Sequence, residues 1–157
     1  MTIAGGTTTL RSANTYTGPT TITGGTLKIG VGQAVPNNSA TTIDTAGTLE
    51  ITGFNQTLSS LSGGGTVRGT TVSNLTLSSG TFSGLLDGAF NLIKQNAGTF
   101  TLSGTTNTFT GTLEPRNGTL VVSSLGDSGA GANGAGAIRI LNGTNTTTTL
   151  RYVAQGA

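Results

Sequence analysis

The stretches "TYTGPTTITGGTLKIG", Thr15–Gly30, and "TFTGTLEPRNGTLVV", Thr108–Val122, are one phrase written twice. Each closes on Gly-Thr followed by an apolar-x-apolar triplet, Leu27-Lys28-Ile29 in the first and Leu120-Val121-Val122 in the second. Side chains alternate across a strand, so such a triplet sends two residues inward and one outward. The phrase is chemically quiet. What it specifies is architecture.

Shorter forms of the phrase fill the chain between the two copies. "GTTTL" starts at Gly6, "GTLKI" at Gly25, "GTLEI" at Gly47, "GTV" at Gly65, "GTF" at Gly80, "GTFTL" at Gly98 and "GTLVV" at Gly118, with a looser "AIRIL" at Ala137. The Gly-to-Gly steps are 19, 22, 18, 15, 18 and 20 residues. A βαβ unit needs about 30 residues, and no sustained 3.6-residue apolar period is present. The longest helix-tolerant stretch, "GLLDGAFNLIKQNAG", is broken by Gly88. Two architectures remain. One is an antiparallel sandwich with hairpin turns at Asn117-Gly118 and Asn142-Gly143. The other is a solenoid in which each step is one coil and like residues stack. The fixed phrase favours the solenoid.

In the solenoid, the inward pairs are Leu27/Ile29, Leu49/Ile51, Leu75/Leu77, Phe100/Leu102, Leu120/Val122 and Ile138/Ile140. Lys28, Glu50, Thr76, Thr101, Val121 and Arg139 point outward. Stacking of Leu27-Lys28-Ile29, Leu49-Glu50-Ile51 and Val67-Arg68-Gly69 on successive coils puts Glu50 between Lys28 and Arg68. A longer-range match pairs Leu10, Asn14, Tyr16, Gly18, Gly25 and Leu27 with Leu102, Asn107, Phe109, Gly111, Gly118 and Leu120. Asn14 and Asn107 read as equivalent turn positions, and Tyr16 and Phe109 as core or corner fillers.

Composition agrees with a thin core. Hydrophobic residues make up 33% of the 157, charged residues 8% and aromatics 4%, while Gly reaches 27. Disorder ordinarily carries more charge and fewer β-branched residues; the abundant threonines favour strands. The net charge of +2 comes from Arg11, Lys28, Arg68, Lys94, Arg116, Arg139 and Arg151, scattered singly. Nucleic-acid binding wants clustered bases with aromatic platforms, so none is expected. No stretch reads as a signal peptide or membrane-spanning segment.

Cys and His are absent, which removes disulfides, thiol chemistry, Ser-His-Asp triads and His-ligated metals. The acids are Asp44, Glu50, Asp87, Glu114 and Asp127. The three aspartates are about two coils apart, a spacing that could suit an inverting glycosidase pair. Their contexts, "TIDTAG", "LLDGAF" and "LGDSGAG", instead read as turns. "GAGANGAGA", Gly129–Ala137, lacks the Gly-Lys-Ser/Thr end of a phosphate loop and reads as a bulging loop. No catalytic, cofactor-binding or metal-binding residue is assigned, and no cofactor is expected.

"TLRSANTYTGPTTITGGTLKIG", Thr9–Gly30, and "GTFTLSGTTNTFTG", Gly98–Gly111, resemble the autotransporter-associated β-strand repeat. "FSGLLDGAFNLIKQNAGTFTLSG", Phe82–Gly104, resembles the segment that precedes it, and "GTLEITGFNQTLSSLSGGGTV", Gly47–Val67, the rung between copies. The resemblance implies a right-handed parallel β-helix of a secreted bacterial passenger. The expectation is therefore an all-β chain, residues 1–157 forming a single β-solenoid domain of about eight coils, a segment of a longer secreted rod. The expected function is structural and non-enzymatic: a stalk, adhesin-like or fibre-forming segment, outside the cell or on its surface. It would be held at the outer membrane through a region outside this chain, and would show Thr, Asn and Ser to solvent or weak ligands. Expected partners are further copies stacked end to end through terminal coils, or host and matrix glycans or proteins, with no nucleic acid and no membrane insertion of this segment. The alternative is a carbohydrate-binding or carbohydrate-cleaving β-helix.

Overall fold

The computed structural model describes residues 1–123, 138–139 and 147–153. These form thirteen strands and no helix: β1 (Thr2–Leu10), β2 (Thr20–Ile29), β3 (Ala40–Ile43), β4 (Gly47–Thr52), β5 (Gln56–Gly63), β6 (Thr66–Thr71), β7 (Asn74–Phe82), β8 (Leu85–Gly88), β9 (Asn91–Lys94), β10 (Thr99–Leu102), β11 (Leu113–Pro115), β12 (Gly118–Val122) and β13 (Thr148–Tyr152). Every pairing is parallel. Partners lie about one repeat step apart in sequence, as in Thr26↔Thr48 and Phe100↔Leu120. The chain is a parallel β-solenoid.

Three outer faces result. The first stacks the opening of β1, the first part of β2, then β3, the ends of β5 and β7, and β10, β12 and β13. We refer to it as the hydroxyl face. The second, the charged face, stacks the ends of β1 and β2 with β4, β6 and β8. The third, the amide face, stacks the starts of β5 and β7 with β9 and β11. Long strands such as β2 and β7 bend from one face to the next.

The core is a file of apolar side chains along the axis. Leu27, Ile29, Leu49, Ile51, Leu75, Leu77, Phe100, Leu102, Leu120 and Val122 are all fully buried, as the alternation requires. Ile138 is only half-buried and bridges Leu113; its expected partner Ile140 lies outside the described residues. On the charged face, the column Ile29–Ile51 continues into Gly69 and Gly88. A Cβ on Gly69 would lie 2.7 Å from the Phe90 ring. The missing side chain leaves room for Phe90, which stacks on Phe109 at 5.4 Å between centroids, a favourable aromatic separation.

The coil count needs correction. The solenoid completes about six turns rather than eight. The phrase count overshot because the 15-residue step from Gly65 to Gly80 is not a coil. Gly65 enters β6 on the charged face, whereas Gly80 lies in β7 where it turns onto the hydroxyl face. The phrase has moved by about two thirds of a turn. Consequently Leu27/Ile29 and Leu49/Ile51 stack on the charged face, Leu75/Leu77 on the amide face, and Phe100/Leu102 and Leu120/Val122 on the hydroxyl face. The stretch broken at Gly88 forms β8 and β9, in line with its reading as non-helical.

Candidate functional site

The amide face is closed by side chains as well as strands. Gln56 points inward beneath Leu75 and is fully buried. Its carboxamide pairs with Val35 as a strand would: Val35 N donates to Oε1 at 3.0 Å, and Nε2 donates to Val35 O at 2.7 Å. Gln33 Oε1 accepts from Thr57 N at 3.0 Å. Along the neighbouring corner runs an asparagine ladder. Asn74 N donates to Asn55 Oδ1, Asn91 Nδ2 to Asn74 Oδ1, and Thr112 N to Asn91 Oδ1, each at 2.9 Å. Nothing in the repeat phrase signals these bonds. The recurrence of Asn55, Asn74 and Asn91 at or just before the starts of β5, β7 and β9 is the sequence trace they leave.

Lys94 also points inward, in the column of Leu77, and is fully buried. Its Nζ donates to three backbone carbonyls, Gln95 at 2.9 Å, Asn96 at 2.7 Å and Asn117 at 2.9 Å. All three ammonium donors are thus used. Burial pushes its pKa below the usual lysine range.

Three carboxylates, Glu50, Asp87 and Glu114, are held by cations. Lys28, Glu50, Arg68 and Asp87 stand on successive coils of the charged face. Glu50 therefore lies between Lys28 and Arg68, as the sequence implies. The close contacts are Lys28–Glu50 at 2.7 Å and Arg68–Asp87 at 3.1 Å. Asp87 also accepts from Thr108 Oγ1 at 2.8 Å. It is a strand residue of β8, which corrects its reading as a turn former. Asp44 does follow a strand into a turn, with Gly47 N donating to its carbonyl. The two do not stack two coils apart, because Asp44 leaves the hydroxyl face and Asp87 belongs to the charged face; Asp87 stands two coils from Glu50, with Arg68 between. Asp127 and the loop Gly129–Ala137 lie outside the described residues.

Glu114 is nearly buried, with Arg116 Nη2 at 2.7 Å and Arg139 Nη1 at 3.8 Å. Burial alone would raise its pKa, but bonds from Arg116 and Thr112 and the charges of Arg116 and Arg139 hold it below the usual range. A general acid needs the opposite shift. Among the described residues, no group of three or more His, Cys, Asp or Glu side chains could hold a metal ion. Among these residues, no helix is long and apolar enough to cross a membrane.

The hydroxyl face carries no charge from Thr21 to Val121 along its outward column, Thr21, Thr42, Ser62, Thr81, Thr101 and Val121. A second column runs Ser60, Ser79, Thr99, Thr119 and Thr149. The corner next to it uses its hydroxyls differently. Ser83 Oγ donates to Gly63 O, Ser103 Oγ to Phe82 O and Ser123 Oγ to Ser103 O, each joining two coils. Asn14 and Asn107 both tie neighbouring coils too, through Ala34 O and Leu86 N. They do so from different faces, and Asn107 is fully buried where Asn14 is half-buried. Phe109 is a core residue. Tyr16 is half-buried, its hydroxyl bonded to Thr20 Oγ1 at 2.6 Å.

Residues 5–29 and 92–122 match the passenger-associated-transport-repeat family. The chain is also 34% identical, over 134 residues covering 80% of it, to the adhesin BmaC autotransporter of Brucella suis biovar 1 (strain 1330). It spans 4% of that relative's length. No solved structure matches it.

Proposed function

We propose that this chain, which belongs to the autotransporter passenger-repeat family, serves as a rigid, non-catalytic stalk segment of a surface adhesin. The observation that carries the reading is the unbroken parallel ladder from β1 to β13. The hydroxyl-face ladder runs through all the described coils, reinforced by β1, β2, β4, β6 and β8 on the charged face and by β5, β7, β9 and β11 on the amide face, so the unit resists bending and offers proteases few loose strands. The carboxylates support the same reading, since Glu50, Asp87 and Glu114 are each paired with a cation. The relative's description as an adhesin supports surface display. On this reading the rod is a segment of a longer protein. It lengthens by further coils or by a second copy stacked on β1, whose outer edge pairs with no strand among the described residues.

The test uses intact cells of the source organism and the purified chain. Antibodies raised against the chain are expected to label unbroken cells, and protease shaving to remove that label. The purified chain is expected to release no sugar from polysaccharides. Confinement to the cytoplasmic fraction would sink the reading. So would glycan hydrolysis that disappears in a Glu50→Gln/Asp87→Asn variant.

A further inference from the structure

We propose that the hydroxyl face is a binding surface for an uncharged polysaccharide lying along the solenoid axis. The inference deepens the adhesin reading and rests on it.

The face is chemically uniform. Ser60/Ser62, Ser79/Thr81 and Thr99/Thr101 stand as outward pairs on three consecutive coils. Strand spacing sets about 4.8 Å between like hydroxyls along the axis, and alternation sets about 6.6 Å between the two members of a pair. Threonine is stiff at χ1, so the threonine hydroxyls and methyls hold their positions in this lattice.

Five of these six hydroxyls are also free for a partner. Ser60, Ser62, Thr81, Thr99 and Thr101 make no side-chain hydrogen bond within the described residues, and Ser79 makes one long bond of 3.3 Å to Ser59 O. The contrast with Ser83, Ser103 and Ser123 matters. There every serine hydroxyl joins two coils, as Ser79 does, whereas the other five hydroxyls of the face do not.

Charge selects the occupant. The described ion pairs lie on the charged and amide faces, and the hydroxyl columns present neither sign until Arg151. An anionic glycan or a charged protein finds no complement on this surface. A neutral polymer of hydroxylated rings does, because both partners donate and accept at every contact. The axial step is close to the length of one ring in an extended β-linked chain. Successive sugars can therefore meet successive coils, with threonine methyls against the apolar ring edges. Each contact is weak, and affinity grows with the number of coils engaged at once.

Microcrystalline cellulose is a suitable probe. The purified chain is expected to sediment with it, and added salt should leave retention unchanged. A Thr81→Val/Thr99→Val/Thr101→Val variant keeps shape and strand preference but loses three hydroxyls. Its affinity is expected to fall at least tenfold. A Thr48→Val/Thr76→Val variant, altered on the other two faces, should bind like the parent. Should the triple variant misfold by circular dichroism, Thr101→Lys alone tests the same point, because its charge cannot be solvated beneath a neutral chain. No sedimentation of the parent, unchanged binding of the face variants, or release by salt would each overturn the proposal. So would inhibition of ice recrystallisation by the parent without retention on cellulose, which would make ordered water the partner. Surface labelling of cells without cellulose binding would sink this inference and leave the stalk reading standing.

Discussion

The two copies of the long phrase share their letters and differ in their address. Gly25 opens the first triplet on the charged face, and Gly118 opens the second on the hydroxyl face. Locally they are twins. Their φ angles are +73° and +74°, and a Cβ on either would lie 2.3–2.4 Å from a carbonyl of the coil beneath. Globally they diverge. Around the first copy, Asn14 and Tyr16 are half-buried and Lys28 stands on the exterior. Around the second, Asn107, Phe109 and the nearby Lys94 are fully buried. The phrase therefore encodes how a strand is entered, not where on the coil it stands. Position on the coil is set by the lengths of the intervening segments.

The sharpest way to break the comparison is at the aromatic pair. Phe109→Ala should cost about 3–5 kcal/mol, the range for a large core aromatic, because it leaves Phe90 unstacked. Tyr16→Ala should cost clearly less, since its ring is half exposed. Equal losses in a urea series would mean that the two sites are equivalent after all.

Gly25→Ala and Gly118→Ala come next, and these should match. Each forces a left-handed backbone on a residue with a Cβ, about 1–3 kcal/mol, with the close carbonyl contact added. A thermal-melting difference between them would show that the corner geometry depends on the face.

Acid titration separates the regions in another way. Against the effect of burial, Arg116, Thr112 and Arg139 hold the Glu114 pKa below the usual carboxylate range in the folded state. Its contribution is therefore present above the unfolded-state value and is lost as pH falls through the folded one. A Glu114→Gln variant should be less stable at neutral pH, and the gap from the parent should narrow on acidification. A gap that stays constant down to the acid transition would show that the Arg116 contact has no linkage to folding.

The smallest expected effect belongs to the exposed ladder. A double-mutant cycle on Lys28 and Glu50 should give about 0.2–1 kcal/mol, shrinking with salt. A larger, salt-resistant coupling would show that the outer column does more than mark register.

What could be read from the sequence follows this division. The triplets, the coil step and the Lys28–Glu50–Arg68 register were all legible, because they depend on alternation and a near-constant repeat. The jump of face between Gly65 and Gly80 was not, since one short step resembles an irregular coil until its pairing is known. Gln56 and Lys94 were illegible for a different reason. Each occupies a position in an otherwise apolar column, and only the backbone groups brought around it, Val35 for one and the carbonyls of Gln95, Asn96 and Asn117 for the other, make a buried polar group affordable. Asp87 was misjudged because "LLDGAF" looks like a turn, while its carboxylate is held by Arg68 one coil below and Thr108 one coil above.

The step from β12 to β13 carries a consequence for how such rods diversify. Gly118 pairs with Thr148 and Leu120 with Leu150, thirty residues on, where Phe100 pairs with Leu120 after twenty. The ladder resumes in register in spite of the longer step in sequence. Lengthening a closed loop by that ratio costs only about 0.4 kcal/mol of chain entropy. Step length and shaft are thus separately editable: at this rung a lineage can lengthen or shorten the connecting sequence while every coil below keeps its partners.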